Sequence, residues 1–360
     1  MKKNVILPVI FVCFLSLLLA VSAFATESAV IGSGNCGKDG DKVVYTLYSD
    51  GLLKISGTGE MADYDYDGGP WYDNSEKIKK IVIAGGVTSI GARAFMVSSN
   101  LTDIEIPSSV TSIGEYAFER CGMTGIEIPG SVKSIGYSAF YSCTELENLV
   151  IPRGVTQIGN YAFNKCTGLK SLKIAGSVTS IGSDVFNGCS SLTSIEIMSG
   201  VTNIGGGMFY NCSSLESVTI PYGVTVIGMS AFRNCGKLKD IEIPSSAASI
   251  GDNAFRDCGN LKNVYFSGQE SDWQSITVGK NNENLTGANI NVKRYFNYGD
   301  INDDGMITSR DTVLLAQYLA GWSKHFSHAV ADVNCDGRLD IKDLIIIRQY
   351  LIGDVGKLGK

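Results

Sequence analysis

Ile126-Glu-Ile128-Pro129-Gly-Ser-Val132-Lys-Ser-Ile135-Gly136-Tyr-Ser-Ala139-Phe140-Tyr-Ser-Cys143-Thr-Glu-Leu146-Glu-Asn148 is one copy of a pattern that begins at Ile81. Further copies start at Ile104, Leu149, Leu172, Ile195, Val218 and Ile241, and a broken one starts at Val264. The step is 23 residues except once, where a deletion after Cys121 makes it 22. Isoleucine holds position 10 in all eight full copies (Ile90 to Ile250), glycine position 11 (Gly91 to Gly251) and phenylalanine position 15 (Phe95 to Phe255). A period of this length marks a solenoid, in which each unit buries its apolar face only against its neighbours' copies.

Each position reads physically. Ile-x-Ile is a short strand whose alternate residues point inward. Proline at position 4, present in five of the eight copies, ends it where no ladder donor is needed. Valine at position 7 and isoleucine at 10 make a second inward set. The glycine that follows is expected to take a positive φ. Phenylalanine fills the wide part of the coil, and cysteine at 18 and leucine at 21 close it. The pattern resembles the bacterial BspA-like leucine-rich repeat from Ile81 to about Val292, and Val264-Tyr-Phe266, Asp272-Trp273 and Asn284-Leu-Thr286 resemble that family's closing cap. The resemblance implies an α/β leucine-rich-repeat solenoid, horseshoe-like, over residues 81–292. It is specific for fold and poorly specific for ligand.

Residues 26–80 do not repeat and are expected to form an N-terminal β cap. Val43–Leu47 and Leu52–Ser56 flank Ser49-Asp50-Gly51, a hairpin signal. Tyr64, Tyr66, Trp71 and Tyr72 follow around Gly68-Gly69-Pro70. They read either as an aromatic binding platform or as the cover that an open solenoid end needs, and the cover is preferred.

The C-terminal part holds two copies of a twelve-residue loop, Asp300–Asp311 and Asp332–Asp343, 32 residues apart. Oxygen side chains fall at loop positions 1, 3, 5, 9 and 12: Asp300, Asn302, Asp304, Thr308 and Asp311, then Asp332, Asn334, Asp336, Asp340 and Asp343. Gly305 and Gly337 make the turn, and Met306 and Arg338 at position 7 would offer backbone carbonyls. That spacing wraps a hard cation in oxygen, and two calcium ions are expected. Each loop is followed by an apolar helical pattern, Val313, Leu314, Tyr318 and Leu319 in one copy and Leu344, Ile345, Tyr350 and Leu351 in the other.

Residues 299–360 resemble a type I dockerin, a small all-α module with two calcium loop–helix motifs that plugs secreted proteins into cohesin domains of a scaffoldin. Aspartate rather than glutamate at position 12 fits that family. The resemblance implies cohesin contacts at Ser309, Arg310, Ala316 and Gln317 and at the matching Ile341, Lys342, Arg348 and Gln349. The two sets differ in chemistry, which implies one preferred binding orientation. Residues 293–298 between the two parts form a short linker without the composition of a flexible tether.

Residues 1–25 read as a secretory signal, with Lys2 and Lys3, an apolar core from Val5 to Val21, and Ala23-Phe24-Ala25 at the cleavage site. The apolar run is too short for a convincing span, so no direct membrane anchor is expected. The formal charge of −6 becomes about −8 once the two lysines leave, which argues against nucleic acid as a partner. Of ten cysteines, Cys13 leaves with the leader and seven occupy position 18 (Cys121, Cys143, Cys166, Cys189, Cys212, Cys235 and Cys258), with Ser98 in the first copy. An odd number in one column cannot all pair, so a reduced buried ladder is expected.

Catalysis finds little footing in the coils. The two histidines, His325 and His328, lie between the acidic loops, so no Ser-His-Asp or Cys-His set arises from solenoid residues. Glu105, Glu127, Glu196 and Glu242 share position 2 and form a possible ligand face, or merely a solvated one. Tyr116, Tyr137, Tyr141, Tyr161 and Tyr210 fall at positions 12, 13 and 16 and read as scattered. The expectation is a secreted, non-catalytic cellulosome component held extracellularly through its dockerin, whose solenoid presents a protein- or glycan-binding surface. The alternatives are a polysaccharide hydrolase and a surface adhesin whose calcium loops are only structural.

Overall fold

The computed structural model describes residues 28–40, 42–198, 200–268, 270–292, 299–301, 306–321, 331–334, 338–353 and 358. The leader 1–25, the linker 293–298, Asn302, Asp304, Gly305, Asp336, Gly337, Cys335 and both histidines lie outside the described residues.

An antiparallel meander opens the chain: β1 (Val30–Asn35), β2 (Lys42–Tyr48) and β3 (Leu52–Glu60). β3 then seeds two stacks. Its first half pairs in parallel with Lys80–Ile83, and Gly59 and Glu60 pair with Val87 and Ser89. The coils continue this fork, placing one short strand at positions 23 to 3 in every full copy but the one that starts at Ile126, and another ending at position 10 in all eight. Register is preserved coil to coil, so Leu149, Leu172 and Ile195 pair, as do Ile113 and Ile135. Equal positions therefore stack, and alternate residues of each strand enter the core.

The phenylalanines form a continuous spine. Phe95 to Phe255 are at most 1 % exposed. Successive rings lie 4.9 to 5.8 Å apart between centroids at interplanar angles of 3 to 28°. Trp71 of the cap extends the spine, stacking 5.6 Å from Phe95 and donating its indole N–H to the Ala94 carbonyl at 2.8 Å. The cover expected of residues 26–80 is thus centred on Trp71, whereas Tyr66 stays 79 % exposed.

The position-11 glycines do not take a positive φ. The left-handed residues are instead at positions 13 and 17, such as Arg93, Tyr116, Ser138 and Tyr161, and Arg120, Ser142 and Lys165. Their N–H groups donate to the next coil: Tyr116 to the Tyr137 carbonyl at 2.9 Å and Arg120 to the Tyr141 carbonyl at 2.8 Å. Position 15 does the same, as from Phe118 to Ala139 at 2.7 Å. This ladder holds the turn-lined side of the coils together. What glycine supplies at position 11 is close approach: a β-carbon on Gly114, Gly136, Gly159, Gly228 or Gly251 would meet the preceding coil's backbone at 2.5 to 2.7 Å.

All eight described cysteines are free and buried. Each column thiol donates to the phenylalanine carbonyl one coil back, from Cys121 to Phe95 at 3.1 Å through Cys258 to Phe232 at 3.0 Å. The column ends at the buried Ser98, whose hydroxyl has no hydrogen-bond partner. At the other end, α1 (Glu270–Ser275) and α2 (Glu283–Thr286) belong to the closing segment, where Trp273 meets Phe266 edge-on at 5.4 Å. Asn282, 3 % exposed, accepts the Phe255 N–H at 2.9 Å and donates to the Gly251 and Gly279 carbonyls. It thereby satisfies the last coil as a further coil would.

In the C-terminal part, α3 (Ser309–Leu319) and α4 (Ile341–Leu351) share a small core of Ile301, Leu315, Ala331, Val333, Leu344, Ile347 and Leu358. The helical face expected from the sequence is corrected here. Leu315 and Ile347 are fully buried, whereas Val313 and Ile345 are about half exposed. No helix among the described residues is long and apolar enough to cross a membrane.

Candidate functional site

In the first acidic loop, Asp300 is 3 % exposed and Asp311 is fully buried. One Asp311 oxygen accepts from the Ile301 N–H at 2.8 Å, and the other from the Thr308 N–H at 2.7 Å. Position 12 is thereby folded back against the backbone beside position 1. The second loop repeats the device: buried Asp343 accepts from Asn334 N–H at 3.4 Å and Asp340 N–H at 2.9 Å. Taking carboxylates out of water is costly unless positive charge or hydrogen bonds compensate. Hard anionic oxygens gathered in this way fit a hard divalent cation. The donor set therefore fits calcium, with Asp304 and Asp336, its remaining carboxylates at position 5, outside the described residues. Among the described residues alone, no group of three or more His, Cys, Asp or Glu is placed to hold a metal.

Thr308 and Asp340, expected as ligands, also cap the helices that follow. Thr308 Oγ1 accepts from Arg310 N–H at 3.1 Å, and Asp340 Oδ1 accepts from Lys342 N–H at 2.7 Å. Both helices open with a reciprocal capping box closed by Asp311 or Asp343. The signal for this double role, Thr-x-x-Asp and Asp-x-x-Asp, stands in the sequence. Ser309, Arg310, Ile341, Lys342 and Arg348 are exposed, while Ala316, Gln317 and Gln349 are partly so. Met306 and Arg338 are exposed as well.

Two of the four position-2 glutamates, Glu105 and Glu196, are paired with lysines. Lys80 bridges Asp103 at 2.8 Å and Glu105 at 2.5 Å, and Lys173 meets Glu196 at 2.9 Å. Glu105 and Glu127 line one open crevice of about 640 Å³ with Asp103 and Ser108. It lies at the junction of the 22-residue coil with the next, where Ile126–Ile128 form no strand and Gly125 makes an isolated bridge to Asn148. Glu242 sits on the last full coil, in the strand Asp240–Pro244.

Three of the five tyrosines form a row, whereas Tyr141 and Tyr210 stand apart with Lys165 and Arg233 over their rings. Tyr116 and Tyr137 lie 5.3 Å apart between centroids at 59°, and Tyr137 and Tyr161 lie 5.6 Å apart at 68°. Arg93 extends the row, its guanidinium 4.9 Å from the Tyr116 ring and 4.8 Å from that of Tyr66. Arg93 Nη1 also donates to the Tyr64 carbonyl at 3.3 Å. Burial and the neighbouring Tyr137 raise the Tyr116 phenol above its ordinary value. Positions 12 and 13 of adjacent coils converge here, which a single-coil reading cannot reveal.

Stacked coils of fixed register, a phenylalanine spine and two acidic loop–helix units define a leucine-rich-repeat protein with a C-terminal docking-type module. The family model for the BspA type leucine rich repeat region matches residues 70–193 and 179–292. The type I dockerin domain model matches residues 298–352. The chain belongs to the BspA-type leucine-rich-repeat family and carries a C-terminal type I dockerin domain, which implies a cohesin partner in a cellulosome setting.

Among solved structures it is similar to a leucine rich cell surface protein from Faecalibacterium prausnitzii, with 24 % identity over 68 % of this chain and 98 % of that one (TM-score 0.39). It is also similar to a leucine-rich repeat protein from Eubacterium ventriosum, with 20 % identity over 76 % and 99 % (TM-score 0.31). A third is the T. pallidum leucine rich repeat protein, with 23 % identity over 54 % and 86 % (TM-score 0.39). No curated protein matches.

Proposed function

We propose that this is a secreted, non-catalytic scaffold-borne protein whose dockerin binds a cohesin only when calcium is present, leaving the solenoid to present a ligand-binding surface. The observation that carries the reading is the matched pair of buried carboxylates, Asp311 and Asp343, each folded back onto the start of its own loop. Asp300, Asn302, Asp304, Thr308 and Asp311 with the Met306 carbonyl would hold one ion. Asp332, Asn334, Asp336, Asp340 and Asp343 with the Arg338 carbonyl would hold the other. Calcium would supply positive charge that permits these carboxylates to be buried together, and the small core of the module makes that contribution large.

Cohesin would contact the helix starts, Ser309 and Arg310 or Ile341 and Lys342, and the positions one to two turns on, Ala316 and Gln317 or Arg348 and Gln349. The non-catalytic reading is supported by the lysines that pair with the coil carboxylates and by two matched families that are a repeat and a docking module. Calorimetry against a panel of cohesins with and without EDTA tests the proposal. Heat with calcium that vanishes in chelator is expected, and no heat in either condition overturns it. Turnover of plant polysaccharides abolished by Glu105→Gln or Glu127→Gln would overturn the non-catalytic part.

A further inference from the structure

The row Tyr66, Arg93, Tyr116, Tyr137 and Tyr161 runs along the turn-lined side from the cap through the first four coils. Its groups are held at one per coil by the inter-coil ladder, since Arg93, Tyr116 and Tyr161 occupy the left-handed position 13 whose N–H is bonded to the next coil. The rings are therefore preorganised and lose little conformational entropy on binding. They are also accessible: Tyr66 is 79 % and Tyr137 is 37 % exposed, and the others are partly so. Beyond Tyr161 the corresponding positions hold Ser183 and Asp184, then Gly206 and Gly207, so the row ends in mid-solenoid. The cap also holds an open depression of about 590 Å³ lined by Tyr64, Tyr72, Asp67 and Asp73, among others.

We propose that this row is a carbohydrate-binding strip that takes a linear, uncharged polysaccharide chain, one sugar ring per tyrosine. The proposal deepens the reading of the solenoid as a ligand-presenting surface and rests on it. A pyranose is the size of a tyrosine ring, and its C–H face packs on the negative face of an aromatic π-system. Rings linked through single oxygens repeat at close to the 5.3 and 5.6 Å of the Tyr116–Tyr137–Tyr161 row.

A peptide fits less well. An extended strand returns a side chain to one face only every ~6.6 Å, and a polyproline helix only every ~9 Å. Between and beside the rings stand Glu115 and Asn160, exposed groups that can hydrogen-bond sugar hydroxyls. Asp65, Asp67 and Glu115, exposed next to Tyr66 and Tyr116 in the chain, disfavour an acidic polymer.

The test uses the full chain and titrates it with cellohexaose, xylohexaose, mannohexaose and a polyproline peptide. Saturable binding to at least one hexasaccharide is expected, weakened about tenfold by Tyr137→Ala and again by Tyr161→Ala, with Tyr137→Phe close to the parent. Melting curves confirm that each variant is folded, and if Tyr161→Ala is not, the two Tyr137 variants decide. No binding to any hexasaccharide, binding indifferent to Tyr137, or binding to the peptide alone overturns the strip. Cohesin binding measured on the same samples separates this failure from failure of the docking reading.

Discussion

The Sγ of Cys121 donates a hydrogen bond to the Phe95 carbonyl in the coil before it, at 3.1 Å, and the same oxygen receives the Ser98 N–H of its own coil at 3.4 Å. Repeated down the column, this makes the thiol a structural donor that binds one coil to the next. Burial pushes the Cys143 and Cys258 thiols up to about 12, and raises the Cys121 thiol well above its ordinary value.

The consequence is a steep alkaline limit to stability. A thiol raised in the folded state contributes its full stability below the unfolded value near 9.0. Above it the unfolded chain releases protons that the folded chain keeps. Each such group then removes about 1.4 kcal/mol per pH unit. With eight buried thiols, the urea midpoint is expected to hold from pH 7 to 8.5 and to collapse between pH 9 and 10. A midpoint unchanged at pH 10 would contradict the buried ladder. At neutral pH the same thiols should resist an aromatic disulfide reagent until the chain is unfolded.

Ser98 occupies the cysteine position with a buried hydroxyl that has no partner. Ser98→Ala removes that unsatisfied group, and is expected to stabilise the protein by about 1 kcal/mol in chemical denaturation. Cys166→Ala, by contrast, deletes the bond to the Phe140 carbonyl and should destabilise by a similar amount.

Asn282 closes the far end. Asn282→Ala leaves the Phe255 N–H and the Gly279 carbonyl without partners and the Gly251 carbonyl with the Ala254 N–H alone, and is expected to cost about 3 kcal/mol. Asn282→Asp keeps the acceptor but loses both donors and buries a charge, so it should melt at least as low. A variant with wild-type thermal unfolding would show that the last coil needs no such closure.

Much of this architecture was legible because the chain states it eight times. Ile90, Gly91 and Phe95 recur so strictly that their burial and stacking follow. The left-handed residues do not announce themselves, since Arg93, Tyr116, Ser138, Asp184 and Asn253 share one backbone conformation with different side chains. Asparagine or aspartate at Asn211, Asn234 and Asp257 was the faint signal. Gly136 is ambiguous in the sequence because glycine serves both positive φ and close approach, and only the neighbouring coil distinguishes them. The acidic loops were legible from spacing alone. The exposure of Val313 and Ile345 was not, because an apolar run of residues does not say which side meets the partner helix.

Gly136 therefore offers a direct check on coil spacing. A β-carbon there lies 2.7 Å from Glu115 N and Gly114 C, both backbone atoms that cannot swing aside. Gly136→Ala is expected to destabilise by about 1–3 kcal/mol through overpacking. A φ-driven requirement would predict a similar loss, but D-alanine installed by semisynthesis would then rescue it. Here D-alanine should not.

Asp311 links the ion to the fold of the docking module. It holds the Ile301 and Thr308 N–H groups and closes the capping box of α3. Asp311→Asn keeps one of the two acceptors but removes the charge, while EDTA on the parent removes the ion and leaves both backbone bonds, so the two contributions can be told apart by comparing them. On the proposed reading, hundredfold excess of calcium over its dissociation constant adds about 2.7 kcal/mol to the stability of the module. EDTA should therefore lower the melting of α3 and α4 while the coils, whose core contains none of these residues, melt unchanged. Asp311→Asn, which also gives up one of the two backbone N–H bonds, should melt in calcium no higher than the parent melts in EDTA, and should respond little to further chelation. A parent whose helical transition ignores EDTA would mean that the hydrogen bonds of Asp311 alone suffice, and calcium-gated docking would fall with that result.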